Sequence, residues 1–329
     1  MKLPFTATAL AALLLASVAS AQSINVALDS NPDREQSGTY RYVDNLFTKL
    51  ADAGWETETF PRDTIGGEDE RLDQIRAGIL DLSMSNYAVA TQFVEEMRAL
   101  QLPYTFENPQ HEFKFFTDSD YLDQVNEKLE AEGMRILAIV PTGGFLGIFN
   151  NKKEVRTVSD MEGLRMRALD PNQLEMFAMM GASGVVIPFS EVPNAIQTGI
   201  ADGYVNASLV PLVFGQADLF SNFTDAKVIM SARLALASSA WWDGLSEDEQ
   251  ATFKAASREA LAEVFDWVDA SEVTHKQHLE EAGIAVYEPT KEELATFREA
   301  TLPMADVLTE VPSSRIEELR SFVNEYAPK

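Results

Sequence analysis

Short apolar runs alternate with amphipathic helical segments along most of the chain, and this alternation restricts the possible folds strongly. Strand-like runs include Leu82–Ser85, 135–140 and 185–188, and helical segments include 40–51 and one that begins at Asp170 and Pro171. Alternation of this kind is typical of an α/β protein with largely parallel sheets.

An internal repeat adds a second constraint. The segment 75–81 (IRAGILD) recurs 121 residues later as 196–202 (IQTGIAD). In both copies a helix ends at Gly, a residue suited to a left-handed helix end, and an Asp leads into a strand. Helix, Gly and strand often follow one another in α/β proteins, so coincidence is one interpretation and two similar lobes is the other.

The N-terminal segment has the pattern of a secretory signal. Lys2 precedes an apolar run over 7–18 and a small-residue triplet that ends at Ala21, which predicts a signal peptide over 1–21 and a mature chain in the periplasm. The apolar run is too short to cross a bilayer. The sequence contains no Cys, so neither disulfides nor a lipid anchor at a cleavage-site Cys is expected.

Length and charge narrow the function. The 329 residues exceed one usual core and predict two domains. The 52 acidic residues outnumber 26 Lys and Arg, for a net charge of −26, which argues against nucleic acid as a partner. The acidity is explained by solubility, in a salty habitat for example, and an anionic ligand would then require a local group of cations.

A long helix is predicted near the C-terminus. Ser246 and Glu249 form a capping box, and no Gly or Pro occurs over 245–282. A continuous helix there would be roughly 50 Å long at 1.5 Å per residue. Because that length exceeds one small lobe, we expect the helix to bridge two lobes.

Signatures of catalysis are absent from the sequence. It contains no G-x-S-x-G, P-loop or G-x-G-x-x-G pattern. His275 and His278 are three residues apart on the long helix, but they have no third ligand nearby, and we interpret them as solvated surface residues. We therefore expect no catalytic residue, no cofactor and no metal ligand.

Two arginines occur in a predicted strand over 164–168. Alternation places Arg165 and Arg167 on the face opposite Leu164 and Met166. Arg167 lies near the carboxyl end of the strand, where open α/β sheets bind ligands, and a guanidinium can hold a carboxylate by two parallel hydrogen bonds. A surface ion pair is the alternative for either arginine.

Several segments of the chain resemble the solute-binding subunits of tripartite ATP-independent periplasmic (TRAP) transporters of the dicarboxylate-binding, DctP-like type. The central ones are 163–167 (GLRMR), 188–192 (PFSEV) and 195–206 (AIQTGIADGYVN). Supporting ones are 65–68 (IGGE), 77–81 (AGILD), 102–106 (LPYTF) and 242–245 (WDGL).

This resemblance implies a two-lobed periplasmic binding protein fold, type II-like, with mixed sheets, helices on both sheet faces and a long helix spanning both lobes. We assign 22–144 and 233–272 to lobe I, and 145–232 and 273–329 to lobe II. The implied ligand site is the cleft between them.

The resemblance also implies site residues. Arg167 corresponds to the family's carboxylate anchor, Asn206 to its cleft asparagine and Phe189 to its aromatic wall, although Phe189 could be a core residue and Asn206 a turn residue. Ser85 is equivalent to Asn206 in the repeat and is expected to face it. Further candidates by position are Asn31, Asn86, Tyr87 and Asn172.

One departure bears on the ligand. Many members carry an Arg after a Gly-Phe pair, where this chain has Leu146. A second ionised end would need a second cation, so we expect a monocarboxylate such as a sugar acid or hydroxy acid.

The predicted function is delivery of this ligand to TRAP membrane subunits by a monomeric, non-catalytic protein that does not insert into the membrane. Alternatives are a component of an ATP-driven importer or a sensor, and a periplasmic hydrolase or lyase using Asp81 or Asp202.

Overall fold

The computed structural model describes residues 22–307 and 311–328, so the predicted signal peptide lies outside the described residues. The strands are β1 (Ser23–Ala27), β2 (Glu56–Phe60), β3 (Leu82–Ser85), β4 (Met134–Asn150), β5 (Arg165–Ala168), β6 (Ser183–Val186), β7 (Gly203–Ala207), β8 (Asn222–Thr224), β9 (Met230–Ser238) and β10 (Ala285–Tyr287). The α-helices are α1 (Gly38–Asp52), α2 (Glu68–Arg76), α3 (Ala88–Thr91), α4 (Pro109–Asp118), α5 (Tyr121–Leu129), α6 (Pro171–Met179), α7 (Val192–Gln197), α8 (Val210–Val213), α9 (Ser239–Gly244), α10 (Glu247–Glu281), α11 (Lys291–Thr301), α12 (Met304–Val307) and α13 (Ser313–Glu325).

The strands form two sheet regions, one for each lobe. Lobe I has the order β2-β1-β3-β9-β4, with β1, β2 and β3 parallel and β9 antiparallel to both β3 and β4. Lobe II has the order β4-β7-β5-β6, in which β5 is parallel to both β6 and β7, while β4 runs antiparallel to β7. Short β8 pairs with β4 and β10. The predicted two-lobed α/β architecture is confirmed.

Strand β4 joins the two sheets. Its first part pairs with β9 and its last residues pair with β7 and β8, so it is 17 residues long and not the short run predicted over 135–140. The register with β9 shifts between Pro141 and Phe145. A side chain at Gly143 would lie 2.2 Å from Leu209, and one at Gly144 would lie 2.2 Å from Glu272. The two glycines therefore let other elements approach this irregular segment closely.

Helix α10 spans both lobes, as predicted. Its 35 residues begin with the predicted capping box of Ser246 and Glu249. In lobe I its Ser257 bonds the hydroxyl of Tyr42 at 2.7 Å. Near its other end Lys276 donates to Asp225 at 3.0 Å, beside β8 in lobe II. Polar contacts to both lobes fix this helix along the molecule.

The internal repeat marks structurally equivalent positions in the two lobes. Gly78 and Gly199 both adopt left-handed backbone angles, with φ of 70° and 72°. Asp81 accepts a hydrogen bond from the amide of Asn25 in β1 at 2.8 Å, and Asp202 accepts one from the amide of Arg165 in β5 at 2.9 Å. Each aspartate thus attaches the strand that follows it to a parallel neighbour, which favours the interpretation of two similar lobes.

The C-terminal helix α13 packs on elements of lobe I, although we assigned it to lobe II. His111 of α4 lies 2.8 Å from the carbonyl oxygen of Val323, and Phe115 stacks edge-on against Phe322. Arg315 pairs with Glu96 at 3.2 Å. The chain therefore returns to lobe I after α11, a crossing that the sequence pattern does not signal.

Candidate ligand site

Arg167 occupies a central position in the lobe II sheet. It lies on β5 opposite Val185 of β6 and Tyr204 of β7. Residues paired in neighbouring strands share a sheet face, so Arg167 and Tyr204 lie side by side. Arg167 is 3% exposed, and the surface ion pair considered as its alternative role is not what the structure contains.

The guanidinium of Arg167 has no carboxylate at ion-pair distance among the described residues, although Asp170 acts on it from further away. Its Nε donates to the carbonyl oxygen of Ile187 at 2.8 Å, while its Nη2 is buried and has no hydrogen-bond partner. Arg167 takes part in none of the ion pairs among the described residues. Burial lowers the pKa of Arg167, but arginine stays protonated in proteins. The site therefore keeps a buried positive charge with an unused donor.

Aromatic side chains stand beside this charge. The guanidinium carbon lies 5.9 Å from the ring centroid of Phe189, which follows β6 in a short 3-10 helix. Phe214 meets the Phe189 ring edge-on at 5.0 Å between centroids. Phe189 is half-buried and packs partly against the lobe II core, so the wall and core roles considered for it coexist. The apolar surface lowers the local dielectric and strengthens the attraction of an anion to Arg167.

Asn206 lies further along β7 on the same face. It is two residues beyond Tyr204 toward the carboxyl end, or about 7 Å along the strand. Its Oδ1 accepts the amide of Ala207 at 3.1 Å, and its Nδ2 makes no hydrogen bond to the described residues. Asn206 belongs to a strand and not to a turn. Its free amide donor is available to hydrogen-bond a ligand or water.

Tyr204 is a further candidate residue that the sequence did not single out, and it is fully buried. Its hydroxyl is buried without a hydrogen-bond partner, and burial is the main reason that its pKa is raised. The Tyr204 ring stacks on Phe149 and Phe220 in the lobe II core. Because register places it beside Arg167, the hydroxyl adds a second unused donor to this face. The sequence signal that could have identified Tyr204 is a tyrosine directly after the Asp202-Gly203 pair at the start of a strand.

The lobe I candidates form a separate group at the ends of β1 and β3. Ser85 ends β3, is 1% exposed and donates to Ser83 at 3.0 Å. The amide and the Nδ2 of Asn86 both donate to Glu68, at 3.2 and 2.9 Å. Asn31 is exposed in the loop after β1.

Two of these placements limit the proposed roles. Glu68 also accepts from Arg71, which in turn donates to the carbonyl oxygen of Leu28, so the 65–68 motif holds the ends of β1 and β3 together. Tyr87 is buried in the lobe I core, where burial and the nearby Glu112 raise its pKa. The described contacts of Asn86 and Tyr87 are thus internal to lobe I.

A polar pair at this edge was also missed. Arg233 of β9 lies 3.3 Å from Asp29, which follows β1, and Asp29 accepts from Thr39 at 2.6 Å. Leu234 pairs with Ser85, so Arg233 lies just beyond the end of β3. The signal available in the sequence was an arginine inside an otherwise apolar strand. The Arg233–Asp29 pair has no net charge, but its polar atoms lie beside the candidate residues at the ends of β1 and β3.

Asn172 and Leu146 also have clear placements. Asn172 is half-buried in the first turn of α6, which Asp170 caps by accepting from the amide of Gln173 at 2.8 Å. Leu146 pairs with Ala207, while the next residue, Gly147, pairs with Asn206. Because side chains alternate along a strand, Leu146 faces away from Asn206 and Arg167. Our inference of a single carboxylate from Leu146 therefore loses its structural basis.

Arg165 and His275 have local roles, whereas His278 is exposed, as predicted. The guanidinium and amide of Arg165 donate to Asp202, as the ion-pair interpretation predicted. Burial raises the pKa of Asp202, but the hydrogen bonds and charge of Arg165 outweigh it and leave that pKa lowered. His275 is 8% exposed and stacks near Trp267, so the prediction that it is solvated is wrong. The described residues contain no group of three potential metal ligands.

Taken together, two α/β lobes joined by crossing strands and by α10, with an unpaired cation at the carboxyl edge of one sheet, define a solute-binding protein. The chain belongs to the family described as bacterial extracellular solute-binding protein, family 7, which matches residues 34–310. Within the described residues, no helix combines the length and apolarity needed to cross a membrane.

Relatives of known name support this membership. The chain is 25% identical over 254 residues to the 2,3-diketo-L-gulonate-binding periplasmic protein YiaO of Escherichia coli, covering 76% of each. It is 26% identical over 286 residues to the C4-dicarboxylate-binding periplasmic protein DctP of Rhodobacter capsulatus, covering 85% of this chain and 84% of the relative.

Solved structures have the same fold. A TRAP periplasmic solute-binding protein from Ochrobactrum anthropi superposes with a TM-score of 0.82 at 22% identity, covering 93% of this chain and 95% of the other. One from Chromohalobacter salexigens, with bound D-glucuronate, gives 0.80 at 19% identity and covers 92% and 99%. The sugar acid binding protein of Advenella mimigardefordensis, in complex with galactonate, gives 0.79 at 21% identity and covers 93% and 99%.

Proposed function

We propose that this protein captures a small organic acid in the periplasm and delivers it to the membrane subunits of a TRAP transporter. The buried, unpaired guanidinium of Arg167 is the observation that carries the proposal. A charge in this setting costs several kcal/mol unless an anion pairs with it. A carboxylate would use the free Nη2 of Arg167 and would lie against the Phe189 ring.

The ligand we favour has one carboxylate and several hydroxyl or keto groups. Arg167 offers one uncompensated charge, whereas Arg233 is already paired with Asp29. The free donors of Asn206 and Tyr204, with the polar Asp29 and Arg233 pair, suit hydroxyl groups. Three relatives that bind diketogulonate, glucuronate and galactonate support this class. The relative named for C4-dicarboxylates supports the alternative, in which Arg233 would exchange Asp29 for a second carboxylate.

Binding without catalysis is part of the proposal. Asp81 and Asp202, the candidate groups of a hydrolase or lyase, precede β3 and β7 and therefore lie at the amino ends of these strands, away from the edge that carries Asn206. Both carboxylates already accept backbone amides. A monomer is expected, and membrane contact would occur through the transporter subunits alone.

The division into lobes remains a proposal with one amendment. Sheet pairing supports 22–144 with 233–272 as lobe I, and 145–232 as most of lobe II. The contacts of α13 favour moving 313–325 from lobe II to lobe I.

A carboxylate screen by thermal shift tests the function. Ligand at about 100 times its Kd adds roughly 2.7 kcal/mol of stability, so D-glucuronate, D-galactonate, 2,3-diketo-L-gulonate and succinate can be compared at matched concentration. We expect a sugar acid to stabilise most. A larger shift with succinate would contradict the monocarboxylate preference, and product formed from bound ligand would favour the enzyme alternative.

The Arg167→Lys variant tests the anchor. Lysine keeps the charge but lacks the planar fork, so we expect the tightest ligand of the screen to lose about 1.5 to 3 kcal/mol of binding free energy in calorimetry. Arg165→Lys, on the same strand but paired with Asp202, is the matched control. Unchanged affinity in a folded Arg167→Lys protein would remove Arg167 from the site.

A further inference from the structure

A groove of about 260 Å³ lies in lobe I among elements that carry none of the candidate cleft residues. Its floor is the beginning of β4, one wall comes from α4 and α5, and the other comes from α9 and the first half of α10. Phe116, Leu122 and Trp242 supply apolar lining. The groove is large enough for a small organic molecule.

The floor of the groove has an irregular backbone. The register of β4 against β9 shifts between Ile136 and Ala138, which leaves Leu137 as an inserted residue. Asn126 of α5 holds Ile136 on both sides, accepting its amide at 2.7 Å and donating to its carbonyl at 2.9 Å. Bulges of this kind often occur beside binding sites because they redirect the strand. Here the side-chain clamp keeps the bulged segment in place beneath the groove.

The lining of the groove carries more cationic than acidic side chains in a very acidic chain, although two of its cations are paired with nearby carboxylates. Its lining includes three cationic side chains but one carboxylate, that of Asp123, while the chain carries a net charge of −26. Arg135 is paired with Glu130, and Arg258 is paired with Asp118. Lys254 takes part in no ion pair among the described residues and stands one helical turn before Arg258.

The cations stand around an aromatic surface. The ammonium of Lys254 lies 5.7 Å from the Trp242 ring centroid, and the guanidinium carbon of Arg135 lies 6.0 Å from it. The Nε of Arg135 is buried without a hydrogen-bond partner. The groove therefore joins an indole, one uncommitted ammonium group and one unused N–H donor.

We propose that this groove is a second ligand site, separate from the interlobe cleft, for a small carboxylate attached to an aromatic or branched apolar body. Lys254 would pair with the carboxylate, Arg135 would donate to it through Nε, and the apolar body would lie against Phe116, Leu122 and Trp242. A strongly hydroxylated sugar acid fits this lining poorly because its hydroxyl groups would lose water without gaining partners. The two sites thus select different classes of organic acid.

Titration of the full mature protein with para-fluorobenzoate, followed by fluorine NMR, tests the second site. We expect saturable binding, and we expect neutral para-fluorobenzamide to bind at least fivefold more weakly. The Lys254→Gln variant should weaken para-fluorobenzoate about fivefold, the effect of losing one partly exposed ion pair. Lys291→Gln, an exposed substitution at the start of α11, should leave binding unchanged.

The cleft variant separates the two sites. Para-fluorobenzoate should bind the Arg167→Lys protein as well as the wild type, so this test is independent of whether the cleft proposal holds. Loss of probe binding in Arg167→Lys would place the probe in the cleft and overturn the second site. Absence of saturation, equal binding of the amide, or full affinity in Lys254→Gln would overturn it as well.

Discussion

Glu112 of lobe I and Arg167 of lobe II are both buried, incompletely hydrogen-bonded and outside the ion pairs of the described residues, but they differ in whether they can give up their charge. Glu112 of lobe I is 2% exposed, its Oε2 has no hydrogen-bond partner, and burial raises its pKa to about 8. It avoids the cost of a buried charge by keeping its proton. Arg167 of lobe II is 3% exposed. Because arginine does not lose its proton in proteins, Arg167 keeps a buried positive charge that an anion could pair with.

The internal repeat makes this comparison position by position. Ser83 and Tyr204 are equivalent by the same 121-residue offset, and they pair with Ala27 and Arg167 respectively. Lobe II therefore has a cation and a phenol where lobe I has a methyl group and a small hydroxyl. This difference supports our proposal that lobe II binds the charged end of the ligand and that lobe I supplies polar contacts without net charge.

The largest expected effect concerns Glu112. Its folded-state pKa of about 8 lies above the ordinary value of 4.5, so the folded protein retains a proton that the unfolded chain has released. Stability should fall by about 1.4 kcal/mol per pH unit between about 4.5 and 8 on account of this group. Urea unfolding of the Glu112→Met variant should lack this slope.

The matched control for that comparison is Glu127→Met on the exposed face of α5. It should retain the wild-type pH dependence, since the side chain remains in water in both states. If wild type and Glu112→Met lose stability in parallel from pH 5 to 8, Glu112 is ionised in the folded protein and the contrast with Arg167 disappears.

The next effect concerns Arg167→Met, which makes lobe II resemble lobe I. Binding of the tightest carboxylate should weaken by about 3 kcal/mol in calorimetry, because its charged partner is removed. The unfolding free energy without ligand should stay level or increase, since a buried unpaired charge is replaced by an apolar side chain. A ligand-free variant that is clearly less stable than the wild type would mean that Arg167 has an internal partner and serves the fold.

A smaller effect distinguishes Asn206 from its repeat equivalent Ser85. Asn206→Ala should cost about 1 kcal/mol of binding, since it removes an amide donor that no described residue uses. Ser85→Ala should change binding by less, because its hydroxyl is buried and bonded to Ser83. Calorimetry with one sugar acid compares the two variants directly. Equal losses of affinity would show that Ser85 and Asn206 both contact the ligand.

The smallest effect concerns the two aspartates of the repeat, Asp81 and Asp202. Asp202→Asn should cost about 0.5 kcal/mol of stability near pH 7, and the difference from wild type should vanish as the pH falls through the lowered pKa of Asp202. Asp81 has a pKa raised chiefly by burial, so the advantage of its charge is smaller and Asp81→Asn should be tolerated better. Neither change should alter ligand affinity, and a binding defect in Asp202→Asn would revive a role for this carboxylate in the cleft.

Local sequence patterns were sufficient for the parts of the molecule that depend on local forces. The two Gly residues at helix ends, the capping box at Ser246, and strands such as Leu82–Ser85 were all predicted correctly. Two other helix starts do not follow the residue that sequence spacing favours. Ser159 and Glu162 have capping-box spacing, but the box forms at Thr157 and Asp160. Ser190 precedes a helical segment, but α7 begins at Val192 after a 3-10 turn, without a cap from Ser190. Neighbouring polar residues compete for such caps, and small differences in backbone path decide between them.

The sequence by itself determined the α/β class, the two-lobed organisation and Arg167 as the candidate anion anchor, because period, helix ends and residue chemistry are local properties. Only the tertiary structure decided that β4 continues past Pro141 and Gly144, since its ladder is completed by distant β9 and β7. It also decided that Leu146 faces away from Arg167 and that Glu112 is sealed in the core. These outcomes depend on which distant segments pack together, because that packing sets the burial, the pKa and the hydrogen-bond partners of each side chain.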